Sequence, residues 1–74
     1  MSSYIQQRAL DSLRSHFQGC IDKHVFNVEV MLNNPVGVAE HPDLADTVEK
    51  ELQVIAEYQD KLDVLNKFFG PSVT

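Results

Sequence analysis

The chain has 74 residues, which is one small domain at most, in the size range where a single hydrophobic core rarely provides enough stability. Eleven acidic residues against six basic ones give a net charge of −5, which argues against general binding to nucleic acid or to an anionic membrane. With one cysteine, Cys20, no signal-peptide pattern and no apolar run of membrane-spanning length, the sequence predicts a cytoplasmic protein.

The first predicted element is a long helix over residues 3–33. Ser2 or Ser3 can cap its start, and Asn34 precedes Pro35, whose ring disfavours helical backbone in the residue before it. Apolar residues recur along this segment at steps of three or four, as on one face of a helix. The predicted face comprises Leu10, Leu13, Phe17, Ile21, Val25, Val28 and Leu32.

A connector is predicted over residues 34–41, within the stretch LNNPVGVAEHPDL. The run NPVG fits a type I turn, and Pro42 suits the first position of a helix, which makes His41 the predicted N-cap. Turn chemistry does not require Glu40 or His41, and charged residues on a rigid loop are where binding sites are often built. The candidate binding residues of this loop are therefore Asn34, Pro35, Gly37, Glu40 and His41, with a purely architectural bend as the alternative.

The second predicted helix covers residues 42–69, with Gly70 as its left-handed cap and Pro71 as its stop. Each of its lysines follows an acid by four residues, which predicts the helix-stabilising pairs Asp46–Lys50, Glu57–Lys61 and Asp63–Lys67. Its predicted apolar face comprises Leu44, Val48, Leu52, Ile55, Tyr58, Leu62, Leu65 and Phe69. Two long helices joined by a short connector predict an all-α antiparallel helical hairpin.

Further apolar residues lie off these two faces, and they predict self-assembly. A lone hairpin would expose them as a patch, and large apolar patches mark interfaces. We therefore expect a homodimer that forms a four-helix bundle, or a larger helical oligomer, and we expect Phe26→Asp to weaken it. The predicted interface residues are Ile5, Phe26, Val30, Val64 and Phe68.

Two unpaired bases are candidate ligand-binding residues. Arg8 and Lys23 have no acid four residues before or after them, so an oligomer that gathers several copies can present them to a small anionic ligand. The alternative is that both side chains are simply solvated.

A row of potential metal ligands runs along the first helix. His16, Cys20 and His24 recur one turn apart, and imidazole and thiolate are zinc ligands. Glu51 of the second helix is a candidate fourth ligand, so a zinc site is one interpretation of this row. Three ligands in a straight row do not converge on one ion, however, and we predict no metal and no other cofactor. Instead, His24 and Glu51 are expected to form a partly buried pair across the hairpin.

No catalytic motif is recognisable: the sequence has no nucleophile-elbow pattern, no phosphate-cradling glycine loop and no paired-cysteine zinc motif. Two helices also offer no sheltered pocket unless they assemble. The sequence therefore predicts a protein that is not an enzyme.

The chain from Asn27 to Phe69 resembles a family of small acidic helical-hairpin proteins of T-even-like tailed bacteriophages, including those of cyanobacteria. The resemblance depends mainly on the runs NPVG and EHPD of the connector. It implies a phage accessory protein in the host cytoplasm and specifies no activity. Two functions remain open: an oligomeric module that binds a host or phage protein, or an oligomeric trap that sequesters a nucleotide-like host signalling molecule as counter-defence.

Overall fold

The computed structural model describes residues 2–33 and 43–70, which form two long helices packed against each other. Helix α1 spans Ser2–Leu32 and helix α2 spans Leu44–Phe69. Contacts join the middle of α1 to the middle of α2 and the start of α1 to the end of α2, for example Phe17 with Tyr58 and Arg14 with Asn66. The helices are therefore antiparallel, and the predicted all-α hairpin is confirmed.

The loop residues singled out from the sequence, Asn34, Pro35, Gly37, Glu40 and His41, lie outside the described residues. Before them, the backbone N–H of Asn33 donates to the carbonyl oxygen of Glu29 at 3.0 Å, and the Asn33 side-chain amide donates to the same oxygen at 2.7 Å. Asn33 therefore donates hydrogen bonds to one of the four carbonyl groups at the end of α1, where a helix runs out of its own N–H donors.

Helix α2 begins at Leu44, and the predicted N-cap His41 lies outside the described residues. Asp43 occupies the N-cap position, and its carbonyl oxygen accepts both the backbone N–H of Thr47 at 3.0 Å and the Thr47 hydroxyl at 3.2 Å. The Asp43 side chain makes no capping hydrogen bond. Asp46 lies in the first turn, where the helix dipole favours negative charge.

The predicted left-handed cap at Gly70 is wrong. Gly70 has φ −77° and ψ 168°, which is extended backbone, and its N–H donates to the carbonyl oxygen of Asn66 at 3.2 Å. The extended conformation follows from the sequence, because a residue that precedes a proline is pushed away from helical geometry. Glycine is needed here for close approach, since a Cβ at this position would lie 2.5 Å from the Asn66 oxygen.

The helices pack along a seam with a seven-residue repeat. In both helices the shielded side chains follow alternating steps of four and three, with Cys20, Asn27 and Val54 shielded beside them. This alternation is the spacing of a coiled coil. The seam comprises Leu10, Arg14, Phe17, Ile21, His24, Val28 and Met31 of α1, and Leu44, Val48, Glu51, Ile55, Tyr58, Leu62 and Leu65 of α2.

The apolar faces predicted from the sequence are therefore partly wrong. Five residues assigned to them are exposed: Leu13, Val25, Leu32, Leu52 and Phe69. Polar side chains, namely Arg14, His24 and Glu51, occupy seam positions instead. Long helices keep contact along a seven-residue repeat by supercoiling around each other, so a polar residue in register remains inside and an apolar residue out of register remains outside. Phe69 is different: it continues the repeat four residues after Leu65, but it is the last residue of α2 and is exposed there.

Candidate functional site

A polar layer crosses the seam near its middle. The Nδ1–H of His24 donates to Oε1 of Glu51 at 2.7 Å, and the side-chain amide of Asn27 donates to the same oxygen at 2.9 Å. The His24 and Glu51 side chains are each 19% exposed. The His24–Glu51 pair expected from the sequence is thus confirmed, and it gives the seam a position that only one register satisfies.

This layer predicts a dependence of stability on pH. Hydrogen bonds from His24 and then Asn27 hold the pKa of Glu51 below its ordinary value of 4.5, with a smaller contribution from the positive charge of Lys23. The folded state therefore favours the carboxylate more than the unfolded chain does. The resulting stabilisation is fully present above the unfolded-state pKa and is lost as the pH falls through the folded-state pKa.

We expect the free energy of unfolding, measured by urea denaturation at a series of pH values from about 6 to about 3, to fall less steeply in Glu51→Gln than in the parent. The amide cannot titrate, whereas every other acid is common to both proteins. Parallel curves for the two proteins would show that the Glu51 carboxylate has the same pKa in the folded and unfolded states.

A second polar contact lies nearer the chain ends, where Arg14 occupies a seam position. Its Nε–H donates to the side-chain oxygen of Asn66 at 2.8 Å, and its Nη1 lies 3.0 Å from Oδ1 of Asp11. Its remaining nitrogen, Nη2, is buried without a hydrogen-bond partner among the described residues. Arg14 therefore ties α1 to α2 and also places Asp11 and Asn66 on the same flank of the hairpin.

The row of potential metal ligands is divided in the structure. Sγ of Cys20 lies 3.8 Å from Nε2 of His16, whereas His24 is directed at Glu51. Among the described residues, no group of three or more His, Cys, Asp or Glu side chains is arranged to hold a metal ion.

The charged side chains of α2 mostly follow the predicted pairing. Lys50 lies 3.7 Å from Asp46 and Lys61 lies 3.1 Å from Glu57. The third predicted pair is not formed, because Asp63 accepts a hydrogen bond from Gln59 at 3.0 Å and Lys67 lies over the ring of Phe68.

Arg8 and Lys23 form no ion pair within residues 2–33 and 43–70. They are fifteen positions apart on one helix, or about 22 Å along its axis. One chain therefore does not bring them together, and a shared anionic ligand would have to lie between several chains.

The exposed apolar surface is the largest unexplained feature of the hairpin. Within the described residues only three hydrophobic side chains are buried: Ile21, Leu62 and Leu65. The five residues predicted to form an interface, Ile5, Phe26, Val30, Val64 and Phe68, are between 45% and 67% exposed. One of them, Val64, lines an open groove at the chain-terminal end of the hairpin. The groove is formed by Leu13, Phe17, Asp60, Lys61, Val64, Leu65 and Phe69.

Part of this surface is not predicted by the sequence pattern. Val25, Leu32 and Leu52 are exposed although they were assigned to the contact between the helices. Counting the strict seven-residue repeat, rather than any step of three or four, would have placed them outside the seam, since each directly follows a seam residue.

Neither α1 nor α2 combines the length and the apolar character that crossing a membrane requires. Comparison with known proteins finds no family model, no characterised protein and no solved structure that matches this chain.

Proposed function

We propose that this protein is a non-enzymatic interaction module, a helical hairpin that self-associates into a homodimer and binds a host or phage protein. The observation that carries the proposal is the apolar surface that the hairpin leaves exposed while it buries three hydrophobic residues within its described part. Such a surface is typical of a protein that completes its core by association. The resemblance to small bacteriophage proteins supplies the setting, an accessory protein acting in the host cytoplasm.

The amount of exposed surface supports self-association. The chain has an accessible surface of 5658 Å² for a mass of 8.4 kDa. Compact monomers of that mass expose about 4600 Å². The excess, about 1000 Å², belongs to an elongated pair of helices, and association along their sides is the direct way to bury it.

We assign the self-contact to the groove at the chain-terminal end, which contains Val64 of the predicted interface residues. Leu13, Val64 and Phe69 give this groove an apolar lining, and Asp60 and Lys61 add one charge of each sign. In a two-fold dimer the same surface meets itself, so a groove with balanced charge does not force like charges together. Of the predicted interface residues, Phe26 and Val30 lie in the opposite half of α1, near Leu32.

Val64→Asp is expected to raise the dimer dissociation constant by about tenfold or more, because the dimer would bury an unpaired carboxylate. The sequence pattern alone predicts that Phe26→Asp weakens the oligomer. With the self-contact assigned to the groove, Phe26→Asp instead becomes the matched control, a comparable change at an exposed position outside the groove. Sedimentation equilibrium at micromolar concentration measures both, with circular dichroism to verify that each variant is helical.

A parent protein that sediments as a stable monomer at these concentrations would refute self-association. A dimer that is broken by Phe26→Asp and unaffected by Val64→Asp would instead place the interface on the outer face of α1, around Phe26 and Val30.

A further inference from the structure

A second apolar surface lies on one flank of the hairpin, away from the groove. Arg14 contacts both Asp11 of α1 and Asn66 of α2, so these two residues lie on the same flank of the hairpin. Each of them directly follows a seam residue, and residues at the equivalent place in the other seven-residue repeats therefore share this flank. The same register places four apolar residues on this flank in the half nearer the connector. They form the connector-side patch: Val25, Leu32, Ala45 and Leu52, all exposed.

Acidic side chains border this patch. Asp22 and Glu29 lie three residues before and four residues after Val25, and Glu49 lies three residues before Leu52, so each is a surface neighbour of an apolar member. All three acids are exposed, and none forms an ion pair with a lysine or arginine within the described part of the chain. The connector-side patch is therefore an apolar strip bordered by uncompensated negative charge.

We propose that the connector-side patch binds a basic amphipathic helix of a partner protein. The proposal rests on the function proposed above and specifies the chemistry of the protein partner. A third helix packs its apolar face against Val25, Leu32 and Leu52 while its lysines or arginines lie over Asp22, Glu29 and Glu49. Val25 and Leu32 are two turns apart, about 10 Å, which matches the spacing of apolar anchors on a docked helix.

Charge decides between this partner and a second copy of the chain. If the patch met itself in a two-fold dimer, Asp22, Glu29 and Glu49 of one chain would lie close to the same acids of the other. Like charges placed together across an interface disfavour that pairing. The groove that contains Asp60 and Lys61 has no such imbalance, so the two surfaces suit different partners.

The test uses a fluorescent synthetic peptide with leucines at helical spacing flanked by lysines, and a matched peptide with glutamates in place of the lysines. Fluorescence anisotropy at physiological salt is expected to show at least about tenfold tighter binding of the lysine peptide. Glu29→Gln combined with Glu49→Gln is expected to weaken that binding several-fold. Asp46→Asn combined with Glu57→Gln removes the same charge elsewhere and is expected to leave the dissociation constant close to that of the parent.

Apolar variants separate this proposal from self-association. Leu52→Asp is expected to abolish peptide binding and leave the dimer intact, whereas Val64→Asp is expected to break the dimer and leave peptide binding intact. If the Glu29/Glu49 variant and the Asp46/Glu57 variant lose peptide affinity equally, the proposal is overturned in favour of a general net-charge effect. If the lysine and glutamate peptides bind the parent equally, it is overturned because charge does not contribute to recognition. Dissociation of the dimer by Leu52→Asp, with peptide binding unchanged, would overturn it in favour of a second copy.

Discussion

Leu62→Ala is expected to lower the free energy of unfolding by about 3 kcal/mol, the typical cost of a cavity left by a buried leucine. Leu62 is 7% exposed and is one of three hydrophobic residues buried in the described part of the hairpin. A domain of this size has little stability to lose, so we expect the melting temperature to fall by more than about 10 °C.

Leu52→Ala is the matched control, because the same atoms are removed from a side chain that is 51% exposed. Its expected cost is about 1 kcal/mol or less, since the parent residue already contacts solvent. Thermal and urea unfolding, followed by circular dichroism at one fixed protein concentration, measure both variants. Similar losses at the two positions would mean that Leu62 is not part of the stabilising core.

His24→Ala is expected to destabilise the hairpin more than Glu51→Leu does, although both remove the same hydrogen bond. Without His24, the Glu51 carboxylate keeps Asn27 as its one donor in a shielded part of the seam, and leaving a shielded charge short of partners is costly. Glu51→Leu removes the charge itself and adds an apolar side chain at a seam position, which offsets the lost pair.

The control for this comparison is His16→Ala, which truncates an exposed histidine that touches Cys20 and Tyr58 without any bond to a carboxylate. We expect the melting temperatures to fall in the order His16→Ala, Glu51→Leu, His24→Ala, the last being the least stable. Equal melting temperatures for the Glu51 and His24 variants would indicate that solvent, not the protein, satisfies the carboxylate.

Only part of the exposed apolar surface could be predicted from the sequence. Exposure of Phe26, Val30 and Phe68 follows from their positions off the predicted apolar faces, and local helical periodicity is enough to predict it. The connector-side patch was missed because Val25, Leu32 and Leu52 also fit a seam with steps of three or four. Apolar side chains lie on most sides of α1, so steps of three or four residues are compatible with more than one contact face for α2.

The sequence by itself determined that the chain forms two helices, because apolar residues recur at helical spacing on both sides of a segment with Pro35, Gly37 and Pro42. It also determined that His24 and Glu51 meet, since an antiparallel pairing of helices of this length brings those positions opposite each other. Only the tertiary structure decided which side chains the helices bury. The helices share one continuous seam when both keep the seven-residue repeat, so Arg14, His24 and Glu51 lie inside with polar partners while Leu32 and Leu52 remain in solvent.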